Sequence, residues 1–326
     1  SLTFKPRYTV LQHYSKFKPN NLPFTVFLFK VCFKKMGKYS IKELERLSGI
    51  KAHTIRIWEK RHQLIEPQRT KTNIRYYSDD DLKKIINVSV LNNNGVKISR
   101  IVKLSLDEIN QQVTELSETQ NSIDIYIEQL IVALVDMDEE QFEKMLGHLT
   151  LKFGFEKMIL EIIYPFLEKI GVLWLTNNIT PAQEHFITHL IRQKMIVAID
   201  SLPLAPKGAA KAILFLPENE LHELSLLFYY YITKKKGIRT YYLGQTVPYT
   251  ALKSIYDLHK PELIITSFTT HPRSAELQKF VDKLSADCTG AKILVSGYAL
   301  KKTPISAPAN VIQFANALEL SQLVSN

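Results

Sequence analysis

The chain has 326 residues, 45% of them apolar, a net charge of +10 and two cysteines, Cys32 and Cys288. That length allows two or three domains, and two isolated thiols exclude a disulfide framework and a cysteine metal cluster. No apolar run reaches the ~18 residues of a membrane-spanning helix, so a cytoplasmic location and no membrane partner are expected.

Positive charge is confined to the amino-terminal third. Residues 1–35 hold seven basic and no acidic side chains, and residues 36–104 hold 15 basic and 7 acidic ones. Such asymmetry points to a nucleic-acid-binding end on a neutral or acidic body. Residues 1–36 read as a basic, aromatic leader without periodicity. Residues 37–105 read as a winged helix-turn-helix. YSIKELERLSGI places Ile41, Leu44, Leu47 and Ile50 on one face, Ser40 and Glu43 form a capping box, and Gly49 makes the turn. The following helix, AHTIRIWEKRHQL, puts Ile55, Trp58 and Leu64 inward and offers His53, Thr54, Arg56, Lys60 and Arg61 outward. QRTKTNIRYYS then reads as a basic wing, whose Arg69, Lys71, Arg75 and Tyr76 are of the types that grip phosphates. These residues, with IEPQRT and IRYYSDDDLKKI, resemble the amino-terminal domain of MerR-family transcriptional regulators. The resemblance implies that Thr54, Arg56, Arg75 and Tyr76 touch double-stranded DNA; Lys60, Arg69 and Lys71 add charge. A two-fold operator would be read by at least a dimer.

Residues 106–121 read as a short helix and linker. Residues 122–203 show four helical patterns: Ile123–Met137, Glu139–Phe153, Phe155–Leu175 with Pro165 at a kink, and a helix opened by Thr180-Pro181. Short connections imply a four-helix bundle. Trp174, then nine residues, then Glu184-His185 lie across its third and fourth helices.

From residue 209 to 326 short apolar runs alternate with helical patterns, the signature of a flavodoxin-like parallel α/β sheet. Expected strands are Ala212–Leu216, Arg239–Leu243, Leu263–Ser267, Lys292–Ser296 and Val311–Phe314. Their carboxyl ends carry Glu220, His222, Ser225, Gly244-Gln245-Thr246, Ser267, Ser296 and Gly297, where ligands of such sheets sit. Glu220-x-His222-x-x-Ser225, with Ser267 and Ser296-Gly297, resembles the cobalamin-binding domain. That resemblance implies His222 as lower axial ligand of cobalt, Glu220 as its hydrogen-bond partner, and Ser267 and Gly297 at the nucleotide tail. Ser225 stands where the motif has glycine, and Ser296 where the first glycine of a pair belongs.

Together the three regions resemble the cobalamin-dependent, light-sensing MerR-family repressors of the CarA/CarH/LitR type. The resemblance implies that Trp174, Glu184 and His185 cover the upper face of the corrin, with adenosylcobalamin as cofactor. Leu175 stands where those photoreceptors carry a second cobalt-ligating histidine, so their light-driven step does not carry over with the motif. The expectation is a non-enzymatic, multidomain α and α/β repressor, a dimer or tetramer. Two alternatives stay open: a regulator whose α/β domain serves only oligomerisation or protein interaction, and a corrinoid methyl carrier.

Overall fold

The computed structural model describes residues 38–119, 122–175 and 179–325, without the side chains of residues 117–119, 172, 174, 175, 274 and 275. The basic leader therefore lies outside the described residues. Two compact units form, one up to Ile85 and one from Ile86 to Asn326.

The first unit opens with α1 (Ile41–Ser48) and α2 (Ala52–His62). Ser40 and Glu43 close the expected capping box, and Gly49 ends α1 in the left-handed region at φ 72°, a conformation glycine adopts without steric cost. A small hairpin follows, β1 (Gln68–Arg69) and β2 (Arg75–Tyr76), in antiparallel register with Arg69 opposite Arg75. Leu44, Leu47, Ile55, Trp58 and Leu64 are buried together with Tyr39 and Tyr77, so Trp58 belongs to the core. Helix α3 (Asp79–Asn93) begins in this unit, with Ser78 and Asp81 hydrogen-bonded reciprocally at its start.

The second half of α3, α4 (Ile98–Ile101) and α5 (Leu106–Thr119) lead into the second unit. The segment expected as a short helix and linker is thus a 14-residue helix. Its density of Asn, Gln, Ser and Glu suggests a linker, yet Ile109 and Val113, one helical turn apart, are buried. Asn110 accepts from Asn87 of α3 at 2.8 Å, and Asn87 accepts from Gln129 at 3.1 Å.

The bundle comprises α6 (Ile123–Asp136), α7 (Glu139–Phe153), α8 (Phe155–Met158) continued by α9 (Tyr164–Leu175), and α10 (Pro181–Asp200). Between α8 and α9 the helix widens into a π stretch, Ile159–Ile163. Pro165 has no N–H for the carbonyl one turn earlier, and the wider turn absorbs that mismatch. Thr180 and Gln183 make a capping box ahead of Pro181.

The sheet comprises β3 (Lys211–Pro217), β4 (Arg239–Val247), β5 (Leu263–Ser267), β6 (Lys292–Ser296) and β7 (Val311–Gln313). All pair in parallel, in the order β4-β3-β5-β6-β7. β4 runs through Gly244-Gln245-Thr246, expected as a loop, by shifting its register against β3. Helices α11 (Leu224–Lys235), α12 (Tyr249–His259), α13 (Ser274–Asp287), α14 (Tyr298–Lys302) and α15 (Ala317–Leu323) complete the unit. Ile213, Phe215, Ile264, Ile293 and Val295 pack with Leu252, Leu277, Val281 and Leu284 of α12 and α13. Alternation sends Ser267 and Ser296 to the opposite face, where the hydroxyl of Tyr229 on α11 donates to Ser296.

Candidate functional site

The strand order reverses at β3, so the loops after β3 and β5 meet at the topological switch point, where ligands of open α/β sheets bind. Glu220 organises those loops. It is fully buried, and its Oε1 accepts from the backbone N–H groups of Leu221 and His222, each at 3.0 Å. Its Oε2 accepts from the N–H groups of Thr269, Thr270 and His271 at 2.9, 2.6 and 2.9 Å. Burial pushes the Glu220 carboxyl up. The bond from His222 and the N–H groups of Thr270, His271 and His222 more than reverse this and hold it well below the usual carboxylate range.

The same Oε1 lies 2.5 Å from Nδ1 of His222. That contact fixes the ring, so Nε2 is the nitrogen free for a ligand, and the side chain is 57% exposed. The hydrogen bond to Glu220 raises the His222 pKa against partial burial, and the nearby Glu220 and Glu184 charges add to it. α11 begins at Leu224, so His222 sits on the loop ahead of it. Asn219, at φ 67°, aims its N–H at the hydroxyl of Thr246, 2.8 Å away.

Glu184 and His185 stand on the first turn of α10, with His185 Nδ1 3.7 Å from Glu184 Oε2. Glu184 is near enough to His222 to act on its charge. The side chain of Trp174 lies outside the described residues. Farther along α10, Arg192 reaches Glu223, the neighbour of His222, with Nε 2.9 Å from Oε2. The Tyr242 hydroxyl donates to the other Glu223 oxygen at 2.7 Å. This charge contact ties α10 to the strand-end loop. The sequence offered no sign of it, because Arg192 and Glu223 are distant in the chain.

On the α11 side of the sheet a slot of about 590 Å³ opens, lined by Ser225, Ser267, Ser296 and Gly297 among others. Gly297 has φ +114°, and a Cβ there would lie 2.3 Å from the carbonyl oxygen of Phe268. Only glycine allows that approach. Ser267 and Ser296 are register partners at the strand ends. Tyr164 and Tyr229 also line the slot. The sequence reading missed both, since a tyrosine in a helical stripe reads as core.

In the first unit Arg56, Lys60, Arg61 and Arg75 surround a shallow cavity of about 290 Å³ with Ile57 and Glu59. Arg56, Lys60, Arg69, Lys71 and Arg75 are exposed, and Thr54 and Tyr76 are half-buried. Arg75 Nη2 lies 4.0 Å from Glu59 on α2, and Arg69 donates to Asn73 within the wing at 2.6 Å. Lys38 lies over the Tyr76 ring, 4.9 Å from its centre. The wing and the exposed face of α2 therefore form one basic surface. Ile57, 44% exposed, is an apolar member of that face absent from the sequence reading.

Residues 39–107 match the family of MerR HTH regulatory proteins, and residues 126–198 match the family described as B12 binding domain. The chain is 27% identical over 244 residues to the HTH-type transcriptional repressor CarH of Myxococcus xanthus, covering 73% of this chain and 81% of that protein. It is 25% identical over 264 residues to the repressor CarA of the same organism, covering 80% and 87%. The monomethylamine corrinoid protein of Methanosarcina barkeri shares the fold, with a TM-score of 0.51 and 16% identity, over 63% of this chain and 99% of that one. No helix among the described residues is long and apolar enough to cross a membrane. The chain thus carries a MerR-type helix-turn-helix regulatory domain followed by a B12-binding domain.

Proposed function

We propose that the chain is a DNA-binding repressor whose hold on DNA is set by a cobalamin-type corrinoid, bound between α10 and the strand ends of the sheet. The observation that carries this reading is the Glu220–His222 pair at the switch point, with one ring nitrogen committed and the other free. A carboxylate on the second nitrogen of a metal-ligating histidine fixes its tautomer and raises its basicity. The surroundings fit the group: the slot beside α11 has the small residues Ser225, Ser267, Ser296 and Gly297 in its lining. When bound, the corrinoid would supply a cobalt centre with an exchangeable ligand.

His222 would hold the cobalt through Nε2, and Glu220 would hold the ring. Glu184 and His185 would line the α10 side of the site, and the Trp174 position is assigned to the same side only by the family resemblance. Arg192 passes changes at the His222 loop to α10 through Glu223. Thr54, Arg56, Arg75 and Tyr76 contact the duplex, with Lys60, Arg69 and Lys71 adding phosphate affinity. An adenosylated corrinoid such as adenosylcobalamin is the form, the operator is two-fold, the protein acts in the cytoplasm, and a dimer or tetramer is the working unit. Such coupling requires the ligand to prefer one assembly over another. The Myxococcus xanthus relatives, both named as repressors, support the regulatory part.

The test is an absorption spectrum after mixing the purified protein with adenosylcobalamin and desalting. Wild type stays coloured and His222→Ala does not; a colourless wild type overturns the reading. A second reading, in which the α/β domain serves only oligomerisation or protein interaction, is favoured by the Tyr229–Ser296 hydrogen bond linking two walls of the slot. Under it, operator binding is indifferent to corrinoid and to light.

A further inference from the structure

The slot beside α11 is unusually rich in hydroxyl groups. Ser225 and Tyr229 stand one helical turn apart on α11, facing Ser267 and Ser296 at the ends of β5 and β6. A helix that follows a strand runs back along the sheet, so Tyr229 lies one turn deeper than Ser225. There its hydroxyl donates to Ser296 Oγ at 3.2 Å, and its ring meets Phe314 edge-on at 5.1 Å. Tyr164, from the start of α9, closes the slot from the bundle side. Its hydroxyl is buried and makes no hydrogen bond of sound geometry, although the Ser225 hydroxyl is its neighbour. A buried, unsatisfied hydroxyl is costly. One that lines a cavity marks where a ligand atom completes the set.

The inference rests on the corrinoid reading above, in which the nucleotide tail of the ligand enters this slot. Corrinoids differ in the base that ends the tail. Dimethylbenzimidazole offers one ring nitrogen, freed as an acceptor when His222 takes the cobalt, and otherwise methyl groups and ring C–H, so it can satisfy one donor but gives the Tyr229 oxygen no partner. A purine presents an exocyclic amine and ring nitrogens, donors and acceptors together. The Tyr164 O–H is available as a donor, the Tyr229 oxygen as an acceptor and the Ser296 O–H as a second donor. We propose that the hydroxyls of Tyr164, Tyr229 and Ser296 select a corrinoid whose tail ends in a purine over one ending in dimethylbenzimidazole. A site built to hydrogen-bond a group discriminates strongly against an analogue lacking it, because its own polar atoms are then left unpaired.

The test is equilibrium binding to the full chain, read from the shift of the corrinoid absorption bands. Three aquo corrinoids serve as probes: cobalamin, its adenine-based counterpart, and cobinamide, which has no nucleotide tail. The adenine form should bind about tenfold tighter than cobalamin. Tyr164→Phe should cut that ratio to about threefold or less, while cobinamide binding stays as in wild type and shows that the variant is folded. Ser296→Gly supplies a second variant with the same expected loss of preference. Cobalamin binding as tightly as the adenine form, with His222→Ala still abolishing both, overturns the selectivity and leaves the corrinoid reading standing. An undiminished preference in both variants overturns the assignment to these hydroxyls. Failure of all three probes to bind overturns the selectivity and the corrinoid reading together.

Discussion

His222 depends on Glu220 more than on any other residue. A single buried carboxylate holds the ring and gathers the backbone of two loops. Replacing it by glutamine leaves one accepting oxygen and turns an amide donor toward N–H groups. Glu220→Gln should therefore lower stability by about 2–4 kcal/mol in chemical denaturation. It should also weaken corrinoid binding about 10–100-fold, the usual cost of losing the partner of a metal-ligating histidine. Glu220 has a depressed pKa in the folded state. Its contribution is therefore present above the ordinary carboxylate value and is lost as pH falls toward the folded one. The histidine and its partner were legible in the sequence because Glu-x-His after an apolar strand is a local pattern. The N–H groups of Thr269, Thr270 and His271 were not, since backbone donors carry no residue signature. Tyr164 and Arg192 were missed for a related reason: each reaches the site from a helix remote in sequence.

Among the elements, α6 carries another buried carboxylate, Glu128, only 7% exposed. Burial pushes its pKa up to about 8, against the pull of Lys169 and with the Asp124 charge adding to the rise. The folded state thus binds the extra proton between the ordinary value of 4.5 and about 8, so stability declines as pH rises through that window. Glu128→Gln should stabilise the protein by about 1–3 kcal/mol near pH 8 and by little near pH 5, read from paired urea unfolding curves. An equal effect at both pH values would contradict the assignment. The wing and α2 make a parallel case in charge rather than burial. Replacing Arg69 and Lys71 by alanine should reduce the slope of log affinity against log salt by about 0.9 for each phosphate no longer neutralised. Trp58→Ala, by contrast, should destabilise the first unit by about 3–5 kcal/mol through an emptied core. Strands β5 and β6 were legible to the residue because apolar runs end at serine. β4 was not, because Gly244-Gln245-Thr246 reads as a loop until β3 gives it a pairing partner. Helix α5 was read short because its polar composition hides the buried pair Ile109 and Val113.

At the scale of the whole molecule, charge and period mark three kinds of stretch along the sequence. Basic residues crowd the helix-turn-helix, four helical patterns follow, and alternating strands and helices end the chain. The hydrogen-bonded chain Asn110–Asn87–Gln129, which runs from the exposed Asn110 to the buried Asn87 and Gln129, was not legible; it fastens the carboxyl-terminal half of α3 to α5 and α6. The central claim, that corrinoid occupancy sets DNA affinity, needs one titration. An operator is first selected by the protein from a pool of random duplexes. Its affinity is then measured with and without saturating adenosylcobalamin in the dark, for wild type and His222→Ala. A change of about tenfold or more in wild type, absent in His222→Ala, is the predicted result. Operator affinity that ignores the corrinoid in wild type would contradict it.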